Sequence, residues 1–131
     1  MVTKGRGTKA ELDVASLRAL LLLHPIEHVI VERVAARPGQ GVTGMFRFGY
    51  VSGAIYGLVI GLQLPVSFIS PVQWQKVARC GPSPDEGRRR GAELYPTAAE
   101  KLSRKKDSGR ADALLIAHVG ARMLLPNRQA A

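Results

Sequence analysis

Glu32 closes a β-branched run, His28-Val29-Ile30-Val31-Glu32, and Asp112 lies just inside an apolar helical segment running from Arg110 to Ala117. Carboxylates at the ends of buried elements are hard oxygen donors, placed where a sheet-and-helix domain can hold a divalent cation. The surrounding chain is strongly basic, with 19 Lys and Arg against 10 Asp and Glu and a formal net charge of +9. Acid ligands inside a cationic surface point to hydrolysis of a polyanion with Mg²⁺. Each acid also has a plainer reading. Glu32 has Arg33 and Arg37 nearby as ion-pair partners, and Asp112 can offset the dipole of its own helix. Asp107, in Lys106-Asp107-Ser108-Gly109, reads as an ordinary turn former.

The charge excess favours phosphate backbones or anionic surfaces over acidic small molecules. A chain of 131 residues fits one domain, and a hydrophobic content of 46% excludes a wholly disordered one. Cys80 is the only cysteine, so no internal disulfide forms, and a reducing, cytoplasmic setting is expected. No Cys or His pairs stand at zinc spacing, and Cys80 reads as an incidental thiol. The stretch from Phe48 to Gln75 carries no formal charge and has Gly49, Gly53, Gly57 and Gly61 at four-residue spacing, which resembles a membrane helix. Gln63 and Pro65 interrupt it and a strand pattern follows, so a buried helix is expected and no membrane span.

These residues must be held by a definite succession of elements. Asp13 reads as the N-cap of a helix ending near Leu23, closed by Pro25. Val29 to Val34 reads as a buried strand, followed by the turn-rich loop Arg37-Pro38-Gly39-Gln40-Gly41. A helix from about Thr43 to Gly61 is expected, its glycines permitting close backbone packing. Val66 to Ile69 reads as a second strand, and Pro71 starts a short helix carrying Trp74 and Lys76. A basic helix follows over Asp85 to Leu94, then a charge run over Lys101 to Lys106, then a last helix over Ala111 to Leu124. This order is that of an α/β domain. The expected organisation is a flexible basic segment over residues 1–10, one domain over 11–125 and a tail over 126–131.

Glu32, followed by Arg37-Pro38-Gly39-Gln40-Gly41-Val42-Thr43 and by Phe46-Arg47-Phe48-Gly49 with Gly53, resembles the RuvC-type Holliday junction resolvases, in particular their phage-like branch. Pro71-Val72-Gln73-Trp74-Gln75-Lys76 and Asp107-Ser108-Gly109-Arg110-Ala111-Asp112-Ala113-Leu114 continue the resemblance in the same order. It covers the chain from about Glu11 to Arg122. The resemblance implies a ribonuclease-H-like α/β fold and a homodimeric, Mg²⁺-dependent endonuclease (Mn²⁺ substituting) that acts on branched double-stranded DNA in recombination, repair or phage DNA processing. It matches Glu32 to the family's fourth-strand acid and Asp112 to its last-helix acid. Asp107 is a less close match, because the family's usual three-residue spacing falls on Gly109.

Two features depart from the family. Its first strand, with an Asp and a glycine-rich turn, has no counterpart here, so an N-terminally truncated fold lacking the first strands of its sheet is expected. Asp13 precedes a helix and does not replace that acid. Family members also tend to carry Lys at the position of Pro84. Weak or absent cleavage with binding retained is therefore expected, and a non-catalytic nucleic-acid-binding remnant is the alternative. The cations expected on phosphates are Arg37, Arg47, Lys76, Arg88, Arg89, Arg90, Lys105, Lys106 and Arg110, with Gln40 beside Arg37 and with Lys4, Arg6 and Lys9 in the N-terminal segment. Phe46 and Phe48 are candidates to wedge between bases, with core packing expected for at least one of them.

Overall fold

The computed structural model describes residues 3–4, 11–33 and 35–124, and its chain is a mixed α/β structure dominated by helix. In order the elements are β1 (Thr3–Lys4), β2 (Glu11–Leu12), α1 (Val14–Leu23), β3 (Val29–Glu32), α2 (Val42–Gly61), β4 (Val66–Ile69), α3 (Pro71–Ala78), α4 (Pro84–Leu94) and α5 (Ser108–Leu124). Two 3₁₀ segments, Pro96–Leu102 and Lys105–Asp107, link α4 to α5. The chain divides into two compact units, Met1–Ser67 and Phe68–Ala131. The expected tail lies outside the described residues, as do Arg6, Lys9 and Val34.

In the first unit, Thr3 and Lys4 pair antiparallel with Leu12 and Glu11, so part of the segment expected to be loose is a strand. Asp13 caps α1 as its spacing predicts: Oδ1 accepts from the Ser16 amide at 3.1 Å and Oδ2 from the Ser16 hydroxyl at 2.9 Å. β3 ends on Glu32 and pairs in parallel with β4, forming a two-stranded sheet with α2 as the crossover. The Val29 amide donates to the Pro65 carbonyl at 2.8 Å, and His28 Nε2 and Ser67 Oγ share a 2.8 Å hydrogen bond. With one neighbour in the sheet, β3 is half-buried along its length, not the fully buried strand its composition predicts.

Helix α2 differs from expectation in its surroundings. A Cβ at Gly49, Gly53, Gly57 or Gly61 would meet nothing within 4 Å, so the close backbone packing expected of this stripe does not occur among the described residues. Phe46 is 76% exposed and Phe48 is exposed as well, so neither enters the core. The helix stops at Leu62 and Gln63. Gln63 adopts φ 57°, and the Leu64 amide reaches back to the Val59 carbonyl at 3.1 Å, a left-handed C-terminal stop. No helix among the described residues is long and apolar enough to cross a membrane.

The second unit holds most of the apolar interior. Ile69, Trp74, Ala78, Leu102, Ala111, Leu115, Ile116 and Val119 are all buried there, whereas Leu12 and Val59 are the buried apolar residues of the first unit. Helix α3 begins with a full capping box: Ser70 Oγ accepts from the Gln73 amide at 3.2 Å, and Gln73 Oε1 accepts from the Ser70 amide at 3.0 Å. Pro71 at its first position suits the fixed φ of a helix start. Pro84 does the same for α4, where Asp85 and Glu86 in the first turn favour the helix dipole. Helix α4 packs on α5 through Gly87 and Gly91. A Cβ on Gly91 would stand 2.9 Å from Leu102 Cδ1 and 3.8 Å from Leu114 Cδ2. Both helix surfaces are therefore flush where they meet, and Leu115 and Val119 fill the interior of this unit.

Leu115→Ala is accordingly expected to lower stability by about 2–5 kcal/mol, from lost transfer energy plus a cavity. Leu22→Ala, on the exposed face of α1, is expected to stay within about 0.5 kcal/mol. Urea unfolding of both variants checks this, and equal costs would remove the claim that the core is centred on α5.

Candidate functional site

Asp107 ends the second 3₁₀ segment and immediately precedes α5, which makes it the anchor of the helix that carries Asp112. It is the buried charged side chain of the described residues, only 3% exposed. Oδ2 accepts from the Arg104 backbone amide at 3.1 Å and from Arg104 Nε at 3.0 Å, while Oδ1 accepts from Arg104 Nη2 at 2.9 Å. Arg110 Nη1 stands 3.6 Å from Oδ1. The Arg104 side-chain hydrogen bonds are the main cause that holds this carboxyl at about 2, against burial acting the other way. Both oxygens are thus engaged by a guanidinium, and a metal-ligand role would require that guanidinium to be displaced.

Asp112 lies in the second turn of α5 and is half-buried. Its Oδ1 stands 3.1 Å from where a Cβ on Gly87 would be, so the absence of a side chain at Gly87 makes room for the carboxylate. Glu86, one residue earlier on α4, lies directly over Gly81. Burial pushes the Cys80 thiol up, and the negative charges of Glu86 and Asp112 push in the same direction. Cys80, Glu86 and Asp112 therefore share one neighbourhood, with Cys80 Sγ donating to the Gly81 carbonyl at 3.2 Å. Sequence reasoning missed Glu86, which reads from its position as a first-turn helix acid. Only the fold of the Gly81 loop brings it towards Asp112.

Glu32 belongs to the other unit, at the C-terminal end of β3 and half-buried. The loop after it closes into a tight turn. The Gln40 amide donates to the Arg37 carbonyl at 3.1 Å, the Arg37 amide donates to Gln40 Oε1 at 3.3 Å, and Gly39 takes φ 81°. Ala35, Arg37, Pro38, Gly39, Gln40 and Phe48 line an open groove of about 430 Å³. An exposed arginine beside an exposed aromatic ring is the pairing that holds a phosphate and stacks a base. Gln40 uses its carbonyl oxygen to shape the turn, so any part it takes in binding would fall to its amide nitrogen.

The expected phosphate-binding cations divide into two kinds. Arg88 Nη1 donates to the Ser103 carbonyl at 2.8 Å and Nη2 pairs with Asp85, tying α4 to the end of the first 3₁₀ segment. Arg89 pairs with Glu93. Arg90 Nε donates to the Ala78 carbonyl at 2.7 Å and Nη1 meets Glu93 at 3.1 Å. Arg110 Nη1 donates to the Lys101 carbonyl at 3.0 Å. These four work inside the fold. Lys76, Lys105, Lys106, Arg37 and Arg47 are exposed.

Magnesium is commonly held by one or two carboxylates, with waters and substrate phosphates completing the shell. Asp112 carries oxygen donors of this kind and has Glu86 in its neighbourhood, and the Asp107 oxygens are bound to Arg104. Among the described residues, no three His, Cys, Asp or Glu side chains converge tightly enough to cage a metal ion. Comparison of the sequence with protein-family models and with curated proteins finds no match in either.

The low pKa of Asp107 has a signed consequence. A carboxyl depressed in the folded state stabilises above its unfolded value, near 3.8, and that contribution is lost as pH falls towards about 2. Asp107→Asn should therefore be less stable than the parent at pH 6, with the difference shrinking between about pH 4 and pH 2. Thermal unfolding across that range tests it, and a constant difference would refute the Arg104 ion pair as its source.

Proposed function

We propose that this protein is a RuvC-type relative with a ribonuclease-H-like fold that binds branched double-stranded DNA and acts on it as a Mg²⁺-dependent endonuclease. The observation that carries the reading is Asp112, a half-buried carboxylate beside Gly87 at the seam of α4 and α5, in a unit whose Lys105 and Lys106 are exposed. A phosphodiester drawn in by those lysines would meet an acid suited to magnesium. Asp112 is the residue of the second unit that would hold the ion, and Glu32 is the acid of the first unit that the resemblance matches to a ligand. When bound, the ion supplies an activated water and offsets charge on the leaving oxygen. Arg37, with Phe48 across its groove, would position the backbone and a neighbouring base on the other unit. The exposed apolar side chains of α2, among them Val42, Phe46 and Tyr50, supply surface for the homodimer of the same reading. In this reading the protein works in the cytoplasm, the reducing setting that its single cysteine suits.

A second reading is favoured by one observation. Asp107 is fully engaged by Arg104, and no three ligating side chains converge among the described residues. A chain of this kind would bind DNA without cutting it.

Gel shift and nicking assays on one labelled four-way junction separate the two. Binding in EDTA is expected to be at least tenfold tighter for the junction than for a linear duplex. Nicking in Mg²⁺ is expected to be weak and to fall to background in Glu32→Gln and in Asp112→Asn. Nicking unaffected by either substitution would overturn the ligand assignment. Equal affinity for junction and duplex would overturn the branched-DNA reading.

A further inference from the structure

Helix α3 ends in a left-handed stop that is occupied by an arginine. Arg79 takes φ 55° and ψ 52°, its amide donates to the Gln75 and Lys76 carbonyls, and the Cys80 amide returns to the Gln75 carbonyl at 2.9 Å. This position favours glycine, and a residue with a Cβ is strained there. The side chain held there lines an open groove of about 490 Å³, together with Val77, Arg90, Arg122 and Met123. Three arginines thus face one depression contributed by α3, α4 and α5, all within the second unit.

The three are not equivalent. Arg90 is pinned by the Ala78 carbonyl at 2.7 Å and by Glu93 at 3.1 Å, so it is a rigid, partly neutralised wall. Arg79 and Arg122 form no ion pair with any described carboxylate. Arg122 also stands in the last turn of α5, where the helix dipole favours a cation. That accounts for one arginine in the groove, not for three. The field reaches the neighbouring side chains as well. His118, hydrogen-bonded to the Tyr95 hydroxyl at 2.8 Å, has its imidazolium disfavoured by burial first and then by the charges of Arg122 and Arg90.

Planar guanidiniums grouped around an open, polar depression suit a tetrahedral oxyanion. We propose that the groove formed by Arg79, Arg90 and Arg122 is a binding site for a backbone phosphate of a polynucleotide, distinct from the acidic neighbourhood of Asp112. The choice of ligand rests on the nucleic-acid reading above, but it needs neither Glu32 nor a metal. Arg79 and Arg122 close on the phosphate oxygens, and Arg90 fixes the floor against which they close. The apolar Val77 and Met123 lie beside the sugar.

Two measurements on the full chain in EDTA test this. The first titrates inorganic phosphate while following the imidazole protons of His118 by NMR. Phosphate in the groove offsets Arg122 and Arg90 and should raise the pKa of His118 in the parent. The effect should weaken at least fivefold in Arg79→Gly, which leaves both of those arginines in place and relieves the left-handed backbone, so its unfolding midpoint should not fall. The second measures junction affinity against salt for the Arg79→Gly, Arg122→Gln double variant. The slope of log K on log salt should shrink by about 0.9, for the one phosphate that is no longer neutralised. An unchanged slope and affinity in the double variant would overturn this inference alone. No DNA binding by the parent would overturn the proposed function and the polynucleotide ligand together. A response of His118 to phosphate that is equal in the parent and in Arg79→Gly marks an adventitious ion only and overturns the site.

Discussion

The close approach of α4 to α5 at Gly87 and Gly91 is the constraint on which the second unit depends. A side chain at Gly91 would collide with buried Leu102, and one at Gly87 would press on the Asp112 carboxylate. With both positions bare, the helices meet flush, Leu102 and Leu115 close the interior, and a carboxylate survives half-buried at the seam. The same seam sets the direction of the arginines on α4. Arg88 reaches back to the carbonyls at the end of the first 3₁₀ segment, and Arg90 reaches forward to the last carbonyl of α3.

Charge in this protein therefore serves two purposes that a net value conceals. Arg88, Arg89, Arg90, Arg104 and Arg110 are tied to carboxylates or backbone carbonyls, and they hold loops whose polar groups would otherwise lack partners. Exposed pairs such as Arg89 with Glu93 add little stability, about 0–1 kcal/mol. Arg104 with Asp107 is different in kind, because its acid is almost wholly shielded and sits at the start of α5. Lys76, Arg79, Lys105, Lys106 and Arg122 in this unit, and Arg37 in the other, are among the described cations that face solvent. A polyanion would meet this second set, whereas the first keeps its own geometry in place.

The first unit shows the opposite balance. It has few buried apolar side chains among the described residues, and much of α2 faces outward. Its order comes from local devices, namely the Asp13 cap, the Arg37–Gln40 turn, the left-handed stop at Gln63 and the parallel pairing of β3 with β4. Such a unit has little hydrophobic burial to set against chain entropy, and apolar surface such as Phe46 and Tyr50 remains to be covered.

Several helix starts and stops were legible from residue order, because caps, prolines and 3.6-residue periodicity act over a few positions, but α5 begins at Ser108, ahead of the expected Ala111. Asp13, Pro71 and the mixed α/β order all follow from such short-range chemistry. Partnership of charged groups was not legible. Asp107 reads as a turn former or a ligand and is in fact locked by Arg104, while Glu86 reads as a helix acid and lies towards Asp112. The grouping of Arg79, Arg90 and Arg122 likewise joins residues 11 and 32 or more positions apart on three helices. Electrostatic partners are selected by distance through space, and only the packing of α3, α4 and α5 sets that distance.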